Sequence, residues 1–320
     1  MTTSPAASPS ARPPRRRRIW FVLLGVILLA LIAYIVVARI AYDTMSLYGS
    51  KALHAEATPD TPFEEVSFPT RGGSYPVYAF WQTTTKPDAP VIINVHGYGN
   101  SRYLDYVQTR AEIILGLGYN VLSLNLSDNG GKTVEDGRIS MGYDEHGDVL
   151  GAYDYLLTKG YKPEQIGLVG ESMGAATILL AAQAQPTLKI IWADSPFSDA
   201  PMVLREQAGA LGFPGFIVDG SLIWAQVLSN DNLRAASPIT AGAGFAANKQ
   251  AVYLSTCTTD NIVNPHHARD LYAEYKAKGV DVQFWEIACT EHATGMEFAR
   301  DEYFQRLDAF LSSHFSSQAS

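Results

Sequence analysis

With 320 residues, 47% of them hydrophobic and 18% charged, the chain has enough apolar material for one large core with appendages. Its formal net charge is −8, and setting aside the five arginines Arg12 and Arg15 to Arg18 leaves about −13 for everything after them, which argues against nucleic acid as a partner. No phosphate loop, dinucleotide fingerprint or metal-ligand spacing of histidines stands out, so neither a cofactor nor a metal is expected.

The first 18 residues, rich in Ser, Pro, Ala and Arg and free of acids, read as a disordered tail. Residues 19–38 carry no charge. As a helix they would reach about 30 Å, the thickness of a bilayer's hydrocarbon core. They predict a single transmembrane helix, an uncleaved signal anchor. The rival is a cleaved signal peptide, disfavoured by the length of the run and the lack of an A-x-A site after it. Five arginines before the span against Arg39 just beyond it put the N-terminus in the cytoplasm and the rest outside the cell membrane. Residues 39–62 then read as a connection, with Asp43 to Pro62 a linker or short helix that carries a domain at 63–320 off the membrane.

Within that domain, Val66 to Thr70 and Val77 to Thr83, split by Arg71-Gly72-Gly73, predict an antiparallel hairpin. Val91 to Val95 is a continuous apolar strand ending in the flexible turn His96-Gly97-Tyr98-Gly99-Asn100. Asn120 to Leu126 is the next strand. Glu145 to Lys159 is an amphipathic helix with Val149, Ala152, Tyr153, Leu156 and Leu157 on one stripe; Asp144, Glu145 and Asp148 near its start suit the helix dipole. Ile166 to Val169 leads into Gly170-Glu171-Ser172-Met173-Gly174 and then an alanine-rich helical run, Ala175 to Ala184. That G-x-S-x-G lies on a sharp strand-to-helix turn, where a Cβ at either glycine would collide with its neighbours and the serine hydroxyl is pushed out of the sheet. Ser172 is therefore a candidate nucleophile.

After a strand at Ile190 to Ala193, about fifty residues, 198–249, exceed what a minimal sheet needs and read as a cap insertion. Their stretch Leu211-Gly212-Phe213-Pro214-Gly215-Phe216-Ile217-Val218, with Leu222, Ile223, Trp224 and Val227, either packs against the core or forms an acyl-binding wall. Ala251 to Cys257 is a further strand, followed by Asp260; Val282 to Ala288 leads to His292; the final helix spans about Glu297 to His314.

A hydroxyl is a weak nucleophile at its own pKa, so a serine hydrolase needs a histidine base, a carboxylate to orient it, and N–H donors for the oxyanion. The chain order Ser172, Asp260, His292 meets the first two needs. Asp194 and Asp199, which follow the preceding strand, are rivals for the acid. His266 and His267 read as solvated surface or capping at a helix start.

On these motifs, with Asp194-Ser195-Pro196-Phe197 and Asp260 with Val263 added, the chain resembles the α/β-hydrolase superfamily. Within it, the chain is similar to serine aminopeptidase and acylhydrolase members near the prolyl-oligopeptidase-type enzymes. The resemblance covers about residues 64–315. It implies an α/β fold, a mostly parallel twisted sheet flanked by helices with a helical cap, here preceded by the transmembrane helix. It also implies an oxyanion hole built from the backbone N–H groups of Tyr98 and Met173. One departure is Ser255-Thr256-Cys257 where many relatives carry His-Gly. The function implied is hydrolysis of carboxylic esters or thioesters through Ser172, His292 and Asp260, acting on a small acyl ester or lipid-like substrate. A peptidase, or a non-catalytic binding protein on the same fold, is the alternative. Cys257 and Cys289, the only two cysteines, fall at the ends of neighbouring strands, and an outward-facing domain permits either a disulfide between them or two buried thiols.

Overall fold

The computed structural model describes residues 15–50, 58–86 and 88–318. An eight-stranded sheet organises the domain: β1 (Glu64–Pro69), β2 (Pro76–Gln82), β3 (Val91–Val95), β4 (Asn120–Leu124), β5 (Ile166–Glu171), β6 (Ile190–Asp194), β7 (Ala251–Cys257) and β8 (Asp281–Ile287). Their order across the sheet is β1-β2-β4-β3-β5-β6-β7-β8, with β2 antiparallel to both its neighbours, β1 and β4, and the remaining pairings parallel. Every residue of β3, β4, β6 and β7 is buried, as expected where helices cover both faces of parallel strands. The edge strand β1 instead alternates, with Val66 and Phe68 turned inward.

Among the described residues, ten α-helices accompany the sheet: α1 (Arg15–Ser50), α2 (Asp105–Gly116), α3 (Glu145–Thr158), α4 (Met173–Ala184), α5 (Ala200–Ala210), α6 (Phe216–Leu228), α7 (Gly242–Ala247), α8 (His266–Ala277), α9 (Gly295–Phe298) and α10 (Arg300–Gln318). On one face, α3, α4 and α8 bury Val149, Leu156, Ile178, Leu179 and Leu271 against the sheet. On the other, α2 and α10 bury Ile114, Leu307, Phe310 and Leu311 around Trp192. The chain passes from β3 to β4 on one side and then returns to β5 on the other. The reversal opens a crevice at the carboxyl ends of β3 and β5, the place where such sheets hold their ligands.

Helix boundaries differ from the sequence reading in three places. The C-terminal helix is broken at Ala299, so that α9 and α10 are separate. More consequentially, α1 does not stop at residue 38 but runs to Ser50, through residues read as a linker. Nothing in 39–48 breaks a helix, and the extension has a face to bury: Ala38, Tyr42 and Ser46, spaced by four, are each almost wholly covered. Gly220 of α6 lets the two helices meet, since a Cβ there would lie 2.5 Å from the Ala38 Cβ. The Ser221 hydroxyl donates to the Ala38 carbonyl at 3.1 Å, the Tyr42 and Ser229 hydroxyls pair at 3.0 Å, and Arg138 reaches Asp43 at 2.9 Å and the Ser46 hydroxyl at 2.8 Å. Toward its N-terminal end the same helix is long and apolar enough to cross a membrane. Of the tail read as disordered, residues 1–14 lie outside the described residues, while Arg15 to Arg18 belong to α1.

Candidate active site

The turn between β5 and α4 has the shape its glycines require. A Cβ on Gly170 would come within 2.7 Å of the Gly174 carbonyl oxygen, and one on Gly174 within 2.2 Å of the His96 carbonyl oxygen. Between them Ser172 sits at φ 55°, ψ −123°, a left-handed-side conformation that costs a non-glycine residue about 1–3 kcal/mol. It is held there by its own amide, which donates to the Asp194 carbonyl at 2.8 Å, and by its carbonyl, which accepts from Ala176 at 3.1 Å.

The Ser172 Oγ lies 2.7 Å from His292 Nε2, and His292 Nδ1 lies 2.6 Å from Asp260 Oδ2. Asp260 is fixed by its own loop: its Oδ1 accepts the amides of Ile262 and Val263 at 2.8 and 2.9 Å, and its side chain is wholly buried. The structure thus brings together the three side chains singled out from sequence, at the ends of β5, β7 and β8. Burial alone would pull the His292 imidazole down, but the hydrogen bond and charge of Asp260, with Glu171 and Asp194 behind it, hold its pKa above the ordinary value.

The two rival acids are engaged elsewhere. Asp199 caps α5 by accepting the Met202 amide at 2.9 Å. Asp194 is buried beneath the elbow, accepting from the hydroxyls of Ser195, Ser255 and Tyr303 at 3.2, 3.0 and 3.1 Å. The departure at Ser255 therefore supplies a hydroxyl to this buried carboxyl group.

The loop after β3 closes over the serine. A Cβ on Gly97 would sit 3.2 Å from the Ser172 Cβ. The Gly97 amide donates to the Tyr106 hydroxyl at 3.2 Å and the Gly99 amide to Asn129 Oδ1 at 2.8 Å, which fixes the backbone of Tyr98 between them. The Tyr98 hydroxyl donates to the Met45 carbonyl of α1. Met173 is the first residue of α4, where backbone N–H groups point away from the helix without intrahelical partners. His96 plays a structural part: its Nε2 accepts the Leu126 amide at 3.1 Å.

Sequence reasoning missed the polar layer under this site. Glu171, the residue before the serine, is only 12% exposed at its side chain, and desolvation pushes its carboxyl up to about 7 although the Arg110 guanidinium, 3.5 Å away, pulls the other way. Arg110 is in turn anchored to Asn94 Oδ1 at 2.7 Å and the Val95 carbonyl at 3.0 Å. A charged residue inside the otherwise apolar face of α2 was the available signal. Likewise Glu145 and Asp148, read as complements to a helix dipole, are buried; Glu145 accepts the amides of Ser140 and Gly142, and Asp148 that of Ser127.

Cys257 and Cys289 are joined in a disulfide with Cα atoms 4.9 Å apart, between the strand ends that carry the acid loop and the histidine loop. Among the described residues, one cluster has metal-ligand character: Glu206 of α5 with His266 and His267 of α8. Every ring nitrogen there is already paired. Glu206 meets His266 at 2.7 Å and His267 at 3.2 Å; Asp270 takes the other nitrogen of His266 at 3.0 Å, and the Ser198 hydroxyl that of His267 at 2.7 Å. His267 is buried rather than solvated, and the cluster ties the cap to α8.

A parallel sheet with this strand order, and a serine on a strained elbow at its switch point, define an α/β-hydrolase-fold serine hydrolase. The model of the prolyl oligopeptidase family matches residues 106–318, and the chain belongs to that family, in keeping with the resemblance carried by its motifs. No curated protein sequence matches it. Among solved structures it is similar to an esterase of Pyrococcus furiosus, with 21% identity over 79% of this chain and 93% of that one, at a TM-score of 0.61. The acylaminoacyl peptidase of Pyrococcus horikoshii is matched at 18% identity and TM-score 0.59, over 78% of this chain but 41% of the peptidase. The Est1E protein of Butyrivibrio proteoclasticus, solved with ferulic acid bound, is matched at 15% identity and TM-score 0.60, over 78% and 99% of the two chains.

Proposed function

We propose that this serine hydrolase is anchored in the cell membrane by α1, with its domain outside, and that it cleaves carboxylic esters or thioesters by two-step acyl transfer. The observation that carries the chemistry is the unbroken line of short contacts from Ser172 Oγ through His292 to Asp260. His292 takes the serine proton as Oγ attacks the carbonyl carbon, and Asp260 holds the imidazole tautomer and offsets the charge it gains. The amides of Tyr98 and Met173 receive the oxyanion. His292 then returns the proton to the leaving alcohol or thiol, and water, deprotonated by the same imidazole, releases the acid from the acyl-enzyme.

Esters are favoured over amides because an alcohol leaves with less help from the general acid. Support also comes from the Pyrococcus furiosus esterase, matched over nearly its whole length, whereas only 41% of the peptidase is. A peptidase reading remains supported by the family itself. Matched acyl nitrophenyl esters and acyl nitroanilides separate the two. Much larger kcat/KM for the ester is expected, and comparable values for the anilide would transfer the assignment to peptide bonds. For the anchor, the arginines before the span and a disulfide suited to an oxidising compartment support the stated orientation. Release of the full chain from membranes by alkaline carbonate would contradict it.

A further inference from the structure

A cavity of about 250 Å³ lies between α1 and the cap. Val37, Ala41 and Met45 form its α1 wall; Leu204, Ala208 and Phe213 are among the residues opposite, and only Thr44 and Gln207 bring polar side chains to the lining. Both walls are tied to the catalytic loops. The Met45 carbonyl accepts from the Tyr98 hydroxyl, and Gln207 donates to the carbonyl of Ile262, whose own amide holds Asp260. The cavity is thus bracketed by the loops that carry the oxyanion and acid groups.

Its other end is set by depth. The α6 helix runs alongside α1 in the same direction: Phe216 meets Tyr34, Gly220 and Ser221 meet Ala38, and Ser229 meets Tyr42. Arg39, paired with Asp43 at 2.8 Å and lying 5.4 Å from the Trp224 ring, has the composition of a membrane-interface anchor. Tyr34 is five residues further in, about 7 Å along the helix axis, so Phe216 beside it falls at the depth typical of interfacial helices. The outward side chains agree. Leu211 is 75% exposed, Phe213 52%, Phe216 59%, Ile223 59% and Val227 66%, with Leu211 and Phe213 also at the edge of the cavity; water disfavours such exposed apolar groups and lipid does not.

The geometry points to a cap that is itself a membrane element: Leu211 to Val227 enters the leaflet on the domain's side beside α1, and the cavity between them takes a fatty acyl chain directly from that leaflet, its ester carbonyl meeting Ser172. This rests on the esterase and anchor readings above and specifies their substrate as a membrane lipid ester. The anchor is then one wall of the acyl site as well as a tether.

The test uses the full chain carrying Ser172→Ala, placed in phosphatidylcholine nanodiscs that contain a phosphatidylcholine with a photoactivatable diazirine on its acyl chain. Crosslinks are expected at residues 204–218 and 37–45 as well as along 19–36. Most of the label at 204–218 should disappear when the cavity is filled from either wall by Ala41→Trp or Ala208→Trp, two variants that guard against misfolding of one. Label confined to 19–36, as when a second copy covers these exposed groups, would overturn the proposal, as would cap label indifferent to both fillings. In chains that retain Ser172, the ratio of kcat/KM for decanoyl over acetyl esters should fall by about tenfold in the filled variants, the equivalent of roughly two buried methylenes. Crosslinking needs no reaction at Ser172. Failed labelling with intact ester hydrolysis therefore rejects the lipid site alone, and a labelled cavity in a chain that cleaves no ester rejects the esterase reading alone.

Discussion

The corner that holds Ser172, His292 and Asp260 and the seam between α1 and the cap are two solutions to positioning a side chain. At the corner, atoms are fixed by short directional contacts: Asp260 accepts two backbone amides and meets His292, the elbow is locked by glycines that tolerate no Cβ, and a disulfide ties the two loops together. At the seam, small residues let helices approach, apolar side chains line a cavity, and large apolar groups face outward. The first is specified by hydrogen bonds and is intolerant of small displacements. The second depends on the solvent around it, since the same apolar groups that are costly in water are at ease in lipid.

If that contrast holds, the largest effects belong to the corner. Ser172→Ala and His292→Ala should each lower kcat by about 10⁴-fold or more, and Asp260→Asn by about 10⁴-fold, with effects far from additive because the three act as a unit; steady-state rates of the single and double variants check this. A wild-type-like rate in any of them would mean that the contact line is not the catalytic one.

Next comes the disulfide. It closes a loop with a sequence separation of 32, for which chain-entropy reasoning gives about 3–4 kcal/mol, or roughly 6–16 °C in Tm for a domain of this size. Cys257→Ser with Cys289→Ser, followed by thermal unfolding, measures it; activity at low temperature should suffer less than stability. Quantitative thiol labelling of unreduced, denatured wild-type protein would show that no bridge exists.

The seam should respond more mildly. Gly220→Val places methyl groups where Ala38 already sits, and overpacking of this kind costs about 1–3 kcal/mol. The expected signature is faster proteolysis of α6 with the acetyl esterase rate little altered. Unchanged proteolysis and unchanged melting would mean that α1 does not dock on α6 in the bilayer.

The smallest effect is a shift along the pH axis. Because His292 is held above its ordinary 6.5 and must be neutral to act as a base, kcat/KM should rise with pH through an apparent pKa above 6.5. Asp260→Asn removes the carboxylate that favours the imidazolium, so the residual activity should titrate at lower pH. A limb at or below 6.5 in the wild-type enzyme would contradict the pairing with Asp260.

The corner was largely legible in the chain because its signals are local. Continuous apolar runs mark β3, β5 and β7; turn residues follow each; and Ser172, Asp260 and His292 come in the order their strands emerge. What was not legible depends on partners distant in sequence. Twenty uncharged residues read the same whether the helix ends at Ala38 or continues, and only partners distant in the chain, Gly220 for Ala38, Ser229 for Tyr42 and Arg138 for Ser46, give the extension something to pack on. The Glu171–Arg110 pair was hidden for a similar reason. An acid and a base 61 residues apart show their coupling only once β5 and α2 lie together.

The most direct test of the reacting site is labelling of the purified full chain with a fluorophosphonate probe, with the modified peptide identified by mass spectrometry. The expected result is a single adduct on Ser172, abolished by Ser172→Ala and strongly slowed by His292→Ala and Asp260→Asn. Absence of an adduct in folded protein, or an adduct on another residue, would contradict the assignment of Ser172, His292 and Asp260 as the reacting site.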